Sequence, residues 1–102
     1  MTYYYENNSS VEHNEQKGQT DISIEVPGFK KEEISIFFEN GEDGNSVLYV
    51  KGENAKRKLN KAFSISSHYD QNKTEASIDL GILKISLKPL EHYRKQYKVE
   101  IK

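Results

Sequence analysis

The 102-residue chain contains no cysteine. That absence rules out a disulfide framework, a thiolate zinc site and a cysteine nucleophile, so a chain this short depends on its apolar core or on self-association for stability. Long hydrophobic runs are missing too. The longest uninterrupted one is Val47-Leu48-Tyr49-Val50, far short of the roughly 18 residues that a membrane-spanning helix requires. Residues 1–20 are polar and carry no hydrophobic signal core, so neither secretion nor a membrane partner is expected, and the expected compartment is the cytoplasm. No stretch has convincing helical spacing; Lys30-Lys31-Glu32-Glu33 amounts to one turn at most. With 34% apolar and 30% charged residues, the composition fits one small soluble domain.

Net charge is only −1 but unevenly distributed. Residues 1–54 hold 4 Lys/Arg against 11 Asp/Glu, a balance of −7, and residues 55–102 hold 11 against 5, a balance of +6. The acidic half raises the electrostatic cost of approaching a polyanion, so a nucleic-acid partner is not expected. Complementary sheets or subunits account for the asymmetry better. Asn8-Ser9-Ser10 and Asn72-Lys73-Thr74 fit the N-glycosylation acceptor pattern, but without a secretory signal they read as turn residues.

Residues 1–19 are rich in Asn, Ser, Glu and Gln and show neither helical nor strand periodicity, so they read as a short mobile N-terminal arm. Its aromatic cluster, Tyr3-Tyr4-Tyr5, is the arm's candidate contact point. From there the period is two. Ile22, Ile24 and Val26 alternate with polar residues up to the Pro27-Gly28 turn, and Ile34, Ile36 and Phe38 share one face of a second strand, with Phe37 on the other. Residues 40–45 carry the glycines and short polar side chains of a hairpin leading into 47–51, where Leu48 and Val50 point inward. Residues 52–60 read as a polar connection. Residues 62–66 alternate again, 68–72 form a turn, and Ala76, Ile78 and Leu80 form the next apolar face. Gly81 breaks the alternation before Leu83, Ile85 and Leu87, at a junction where a residue with a Cβ is poorly tolerated. At least six short strands within about 70 residues predict an all-β fold, an immunoglobulin-like antiparallel β-sandwich, with a small barrel as the second choice.

Little in this pattern carries chemistry. His13, His68 and His92 lack the spacing and carboxylate neighbours of a metal site. Ser66, Ser67, His68 and Asp70 are the ingredients of a triad, but consecutive residues of one turn cannot place a base between nucleophile and orienter. The acidic 40–45 turn lacks the ligand spacing of a calcium loop, and no glycine-rich loop precedes a helix to bind phosphate. No catalytic residue, metal or cofactor is expected.

Val26-Pro27-Gly28-Phe29-Lys30-Lys31-Glu32-Glu33-Ile34 resembles the strand, Pro-Gly turn and strand that open the α-crystallin domain of small heat-shock proteins. Val47-Leu48-Tyr49-Val50-Lys51-Gly52-Glu53 resembles that domain's Leu-x-Val-x-Gly-Glu strand, and Lys61-Ala62-Phe63-Ser64-Ile65 the strand after it. Residues 76–87 resemble the signature Ala-x4-Gly-Val/Ile-Leu-x-Ile-x-Leu, so order and spacing agree over residues 20–89. Val99-Glu100-Ile101 is similar to the family's Ile-x-Ile/Val tail motif. On this resemblance residues 20–89 are the domain and 90–102 a C-terminal tail.

The resemblance implies an ATP-independent stress-response chaperone that assembles as oligomers of dimers and captures partly unfolded client proteins. Val99 and Ile101 would be the oligomerisation motif, Ile36, Phe38, Ala76 and Ile78 the groove that receives it, and Tyr3, Tyr4 and Tyr5 client or arm contacts. Many bacterial and plant members exchange a long loop between subunits. Only residues 54–60 are available for it here, so edge-to-edge strand pairing is the expected dimer mode. Two other readings are a co-chaperone-like or adaptor sandwich that binds a folded partner, and a structural sandwich of a larger particle.

Overall fold

The computed structural model describes residues 9–91 and 99–102. Seven strands follow in order: β1 Ser9–Asn14, β2 Gln19–Glu25, β3 Ile34–Asn40, β4 Ser46–Glu53, β5 Lys58–Ile65, β6 Glu75–Asp79 and β7 Ile82–Leu87. They form two antiparallel sheets, one ordered β1-β2-β7-β6 and the other β3-β4-β5. The sandwich expected from the alternation is the fold, and the only helical pieces among the described residues are 3-10 turns at Lys31–Glu33 and Gln71–Lys73.

Register explains the core. Ile22 lies opposite Ile85 and Ile24 opposite Leu83, so a single row of apolar residues crosses from β2 to β7 on the inward face. In the other sheet Leu48 and Val50 of the central β4 point the same way between their two neighbours. These residues, with Val26, Leu59, Ile65 and Leu87, are buried, each contributing about 1.5–3 kcal/mol relative to exposure. Central strands are covered on both flanks and bury their inner residues completely; edge strands do so only in part.

Two boundaries differ from the sequence expectation. The segment read as an unstructured arm contains β1, which pairs with β2 from Ser9 opposite Ile24 to Asn14 opposite Gln19. Its sequence, SSVEHN, has one apolar residue, and that residue, Val11, faces inward yet stays 58% exposed. A four-stranded sheet overhangs a three-stranded one, so an edge strand there needs no apolar alternation. The second correction concerns residues 52–60. β4 continues to Glu53 and β5 begins at Lys58, with Glu53 opposite Lys58. The connection is only residues 54–57, closed by the Asn54 N–H donating to the Arg57 carbonyl at 3.0 Å. Leu59, read as part of the connection, is a core residue.

The turns obey backbone chemistry. Val26-Pro27-Gly28-Phe29 has proline at the second position, glycine with φ +83° at the third, and the Phe29 N–H donating to the Val26 carbonyl at 3.2 Å, which are the marks of a type II turn. Asp79 pairs with Ile82, leaving Leu80-Gly81 as a two-residue loop with φ +51° and +76°. Both loop residues are left-handed, as a type I′ hairpin demands.

Candidate functional site

The feature that could engage other chains is the seam between the edge strands β3 and β6, whose outer sides pair with no other strand among the described residues. Ile36 and Phe38 lie opposite Val50 and Leu48, and Ala76 and Ile78 lie opposite Ile85 and Leu83. All four therefore face the interior. Ile36, Phe38 and Ile78 are half-buried against the core, whereas Ala76 is exposed despite facing inward. An inward residue without cover means that the sandwich is open at this edge.

A polar cluster brings the two edges to the same side. Asn40 ends β3, and Gln71 begins the turn that feeds β6; the Gln71 amide donates to Asn40 Oδ1 at 2.7 Å and to Ser46 Oγ at 3.1 Å. Ser46 Oγ in turn donates to Asn40 Oδ1 at 2.6 Å. Sequence reading missed this link, because Gln71 is one more polar turn residue until two distant segments meet.

The remaining predicted positions are placed as follows. Val99 and Ile101 are 82% and 98% exposed, so the tail motif does not occupy the seam of its own chain. Tyr3, Tyr4, Tyr5 and His92 lie outside the described residues. His13 Nδ1 is 2.7 Å from Thr20 Oγ1, which also hydrogen-bonds the Tyr69 hydroxyl, tying β1 to β2 and to the β5–β6 connection. Ser66 Oγ sits 2.7 Å from His68 Nδ1, but Asp70 uses its carboxylate to accept from the Asn72 N–H at 3.0 Å. It caps the turn at Gln71–Lys73. Among the described residues no group of three His, Asp or Glu is placed to hold a metal ion, and no helix is long and apolar enough to cross a membrane.

On the outer face of the three-stranded sheet Phe37 stacks on Tyr49 with ring centroids 5.3 Å apart. Lys51 Nζ stands over both rings, 5.7 Å from Phe37 and 5.3 Å from Tyr49. A cation over paired aromatics is a self-satisfied surface feature, which explains the apolar residue on the polar side of β3.

Three carboxylates, one within β2 and two at turns, are held by donors. The side-chain amide of Gln19 holds the Asp21 carboxyl below its ordinary value, helped by Ser86 and Lys84. Glu33 is lowered by the Lys30 N–H, at 2.8 Å, and then by Asn54. Asp43 is lowered by the backbone and side-chain N–H groups of Asn45.

Compared with known proteins, residues 12–102 match the Hsp20/alpha crystallin family. The chain belongs to that family. A probable Hsp20 family chaperone from Onion yellows phytoplasma is 30% identical over 103 residues, covering 79% of this chain and 72% of that protein. Heat shock protein 16 of Schizosaccharomyces pombe is 23% identical over 106 residues, covering 91% of this chain and 74% of that one. Among solved structures, a small heat-shock protein from Xylella fastidiosa superimposes with a TM-score of 0.62 at 19% identity, covering 91% of this chain and 96% of that chain. The α-crystallin domain read from the four motifs is thus the fold and family of the chain, and the seam residues fall within the matched span.

Proposed function

We propose that this small heat-shock protein is an ATP-independent cytoplasmic holdase. It binds extended apolar segments of partly unfolded proteins at the β3–β6 seam, keeps them from aggregating, and assembles from dimers into oligomers by seating Val99 and Ile101 of one subunit in the seam of another. The observation that supports this reading is the exposed, inward-facing Ala76 beside the half-buried Ile36, Phe38 and Ile78, between two edges that pair with no other strand among the described residues. Residues one apart point to the same side of an extended segment, so Val99 and Ile101 enter together while Glu100 faces water. Their burial contributes roughly 3–6 kcal/mol before the cost of ordering the tail is subtracted, so each contact is weak and the assembly depends on their number. Dimers form by edge-to-edge strand pairing, a mode favoured by the four-residue β4–β5 turn.

Replacing Val99 and Ile101 together with Gly is expected to reduce a large assembly to dimers in light scattering while the domain's melting is unchanged. An unchanged mass counts against the motif. Without any nucleotide, the parent protein is expected to slow heat- or reduction-induced aggregation of an unrelated protein. Unaltered turbidity at several-fold molar excess of folded protein refutes the holdase, and a strict monomer at high concentration would favour the adaptor reading.

A further inference from the structure

The hairpin between β3 and β4 carries the chain's single Asn-Gly pair, Asn40-Gly41. Asparagine before glycine is the most labile amide arrangement in a polypeptide, because the following backbone nitrogen reaches the side-chain carbonyl carbon when no Cβ crowds it. Both residues are exposed to water. The turn also leaves little room for a substitute, since a Cβ on Gly41 would stand 3.0 Å from Asp43 Oδ1 and 3.3 Å from the Asn45 carbonyl oxygen.

The fold treats the two reacting groups in opposite ways. The Asn40 carboxamide is the electrophile, and its Oδ1 accepts from Ser46 Oγ at 2.6 Å and from the Gln71 amide at 2.7 Å. Donors placed there stabilise the negative charge that develops on Oδ1 as Cγ is attacked. The Gly41 nitrogen is the nucleophile, and it is withheld: its N–H donates to the Asn45 carbonyl at 2.8 Å. Asp43 fixes Asn45 in turn, its carboxylate accepting from the Asn45 backbone N–H at 3.1 Å and from Asn45 Nδ2 at 3.0 Å.

We propose that Asn40-Gly41 is a deamidation site kept latent by the hairpin, whose polarised amide reacts with water as co-reactant when the Gly41–Asn45 hydrogen bond opens. The Gly41 nitrogen gives its proton to water and bonds to Asn40 Cγ. The Cγ–Nδ2 bond then breaks, and the nitrogen takes a proton from water and leaves as ammonia. Water opens the resulting succinimide at Cγ to give aspartate, or at the main-chain carbonyl carbon of the same residue to give isoaspartate; nothing is oxidised or reduced. Either product sets a carboxylate beside Glu39, Glu42 and Asp43 and removes the Nδ2 donor that lies 3.4 Å from Gln71 Oε1. Isoaspartate also inserts a methylene into the main chain where β3 makes its last pair with β4, Asn40 opposite Ser46. The link from the end of β3 to the turn before β6 weakens as the protein ages, whatever the seam binds.

The test follows conversion of Asn40 in the full-length protein at neutral pH by peptide mass mapping, with isoaspartate counted by enzymatic carboxyl methylation. Amide exchange at Gly41 measures opening of the turn in the same samples. Asp43→Ala removes the acceptor that fixes Asn45 and is expected to speed both Gly41 exchange and Asn40 conversion about ten-fold, with the chain unfolded in urea setting the upper limit. Leu59→Ala weakens the core at the other end of β4, where Leu59 lies opposite Gly52, and is expected to leave conversion near the parent rate. Conversion in the folded parent as fast as in urea, an Asp43→Ala rate equal to the parent's, or one that does not follow Gly41 exchange overturns the proposal. A Leu59→Ala rate matching that of Asp43→Ala overturns it as well, because general unfolding would then be the gate.

Discussion

Leu80 occupies a backbone position made for a different residue. It has φ +51°, it is the first residue of the two-residue β6–β7 loop, and it is 92% exposed. An ordinary L-residue pays about 1–2 kcal/mol in the left-handed region, and Asn avoids much of that through its short polar side chain. Type I′ hairpins favour Asn-Gly for the same reason. Leu80→Asn gives up almost no burial, so the relief of strain is not offset, and a net gain of about 1 kcal/mol is expected. In a domain of this size that corresponds to a rise of about 4–8 °C in thermal midpoint. Circular dichroism melting and urea unfolding, read together, check it; the urea midpoint should rise with an unchanged slope. The neighbouring residue supplies the reverse control. Gly81 has φ +76° and nothing within 4 Å of a built Cβ, so Gly81→Val is expected to lose roughly 1–3 kcal/mol through backbone strain without a steric clash. If Leu80→Asn leaves the midpoint unchanged or lowers it, or if Gly81→Val melts like the parent, the strain argument is wrong.

Leu59→Ala should cost about 2–4 kcal/mol in urea unfolding, because Leu59 is 6% exposed within the core; a parent-like midpoint would return residues 58–60 to a surface connection. Asn54→Ala should cost about 1–2 kcal/mol and speed amide exchange at Lys56 and Arg57, whose N–H groups it accepts. Unaltered exchange would show that the turn holds without it. The lowered carboxyls of Asp21, Glu33 and Asp43 stabilise the folded state above the unfolded carboxylate range near about pH 4, and that contribution is lost as pH falls through their folded values. The urea midpoint should therefore stay level from neutral to mildly acidic pH and fall below about pH 4, with a shallower fall in Glu33→Gln; a midpoint that rises on acidification would contradict the assignment.

Alternation reveals the central strands β2, β4 and β7 in the sequence and, at the edges, β3, β6 and the second half of β5. β2, β4 and β7 are central, their inner residues all meet the opposite sheet, and Ile22, Leu48 and Ile85 announce them. β1 and the first half of β5 are edges. Val11 and Leu59 are lone apolar residues among polar ones, and pairing to a neighbour, which no local pattern records, makes those segments strands. Within the seam, Ile36, Phe38 and Ile78 are legible because they sit in alternating runs. Ala76 is too small to signal burial by itself, and its place comes only from the motif that surrounds it. The Asn40–Gln71–Ser46 cluster is invisible beforehand, since its members are 31 and 25 positions apart and none is unusual in a turn.

The four-residue turn between β4 and β5 also bears on kinetics. Extended, it spans about 14 Å at most, and its own two strands consume that reach, so no strand of one subunit can be threaded through another at this point. In the proposed assembly subunits would not be interlocked there. Parting them would then require no element to be withdrawn and refolded at this turn, so the turn would add nothing to the barrier to subunit mixing beyond the strength of the interface. Mixing of differently labelled protein should accordingly speed up with each weakened contact while the domain's own unfolding rate stays the same.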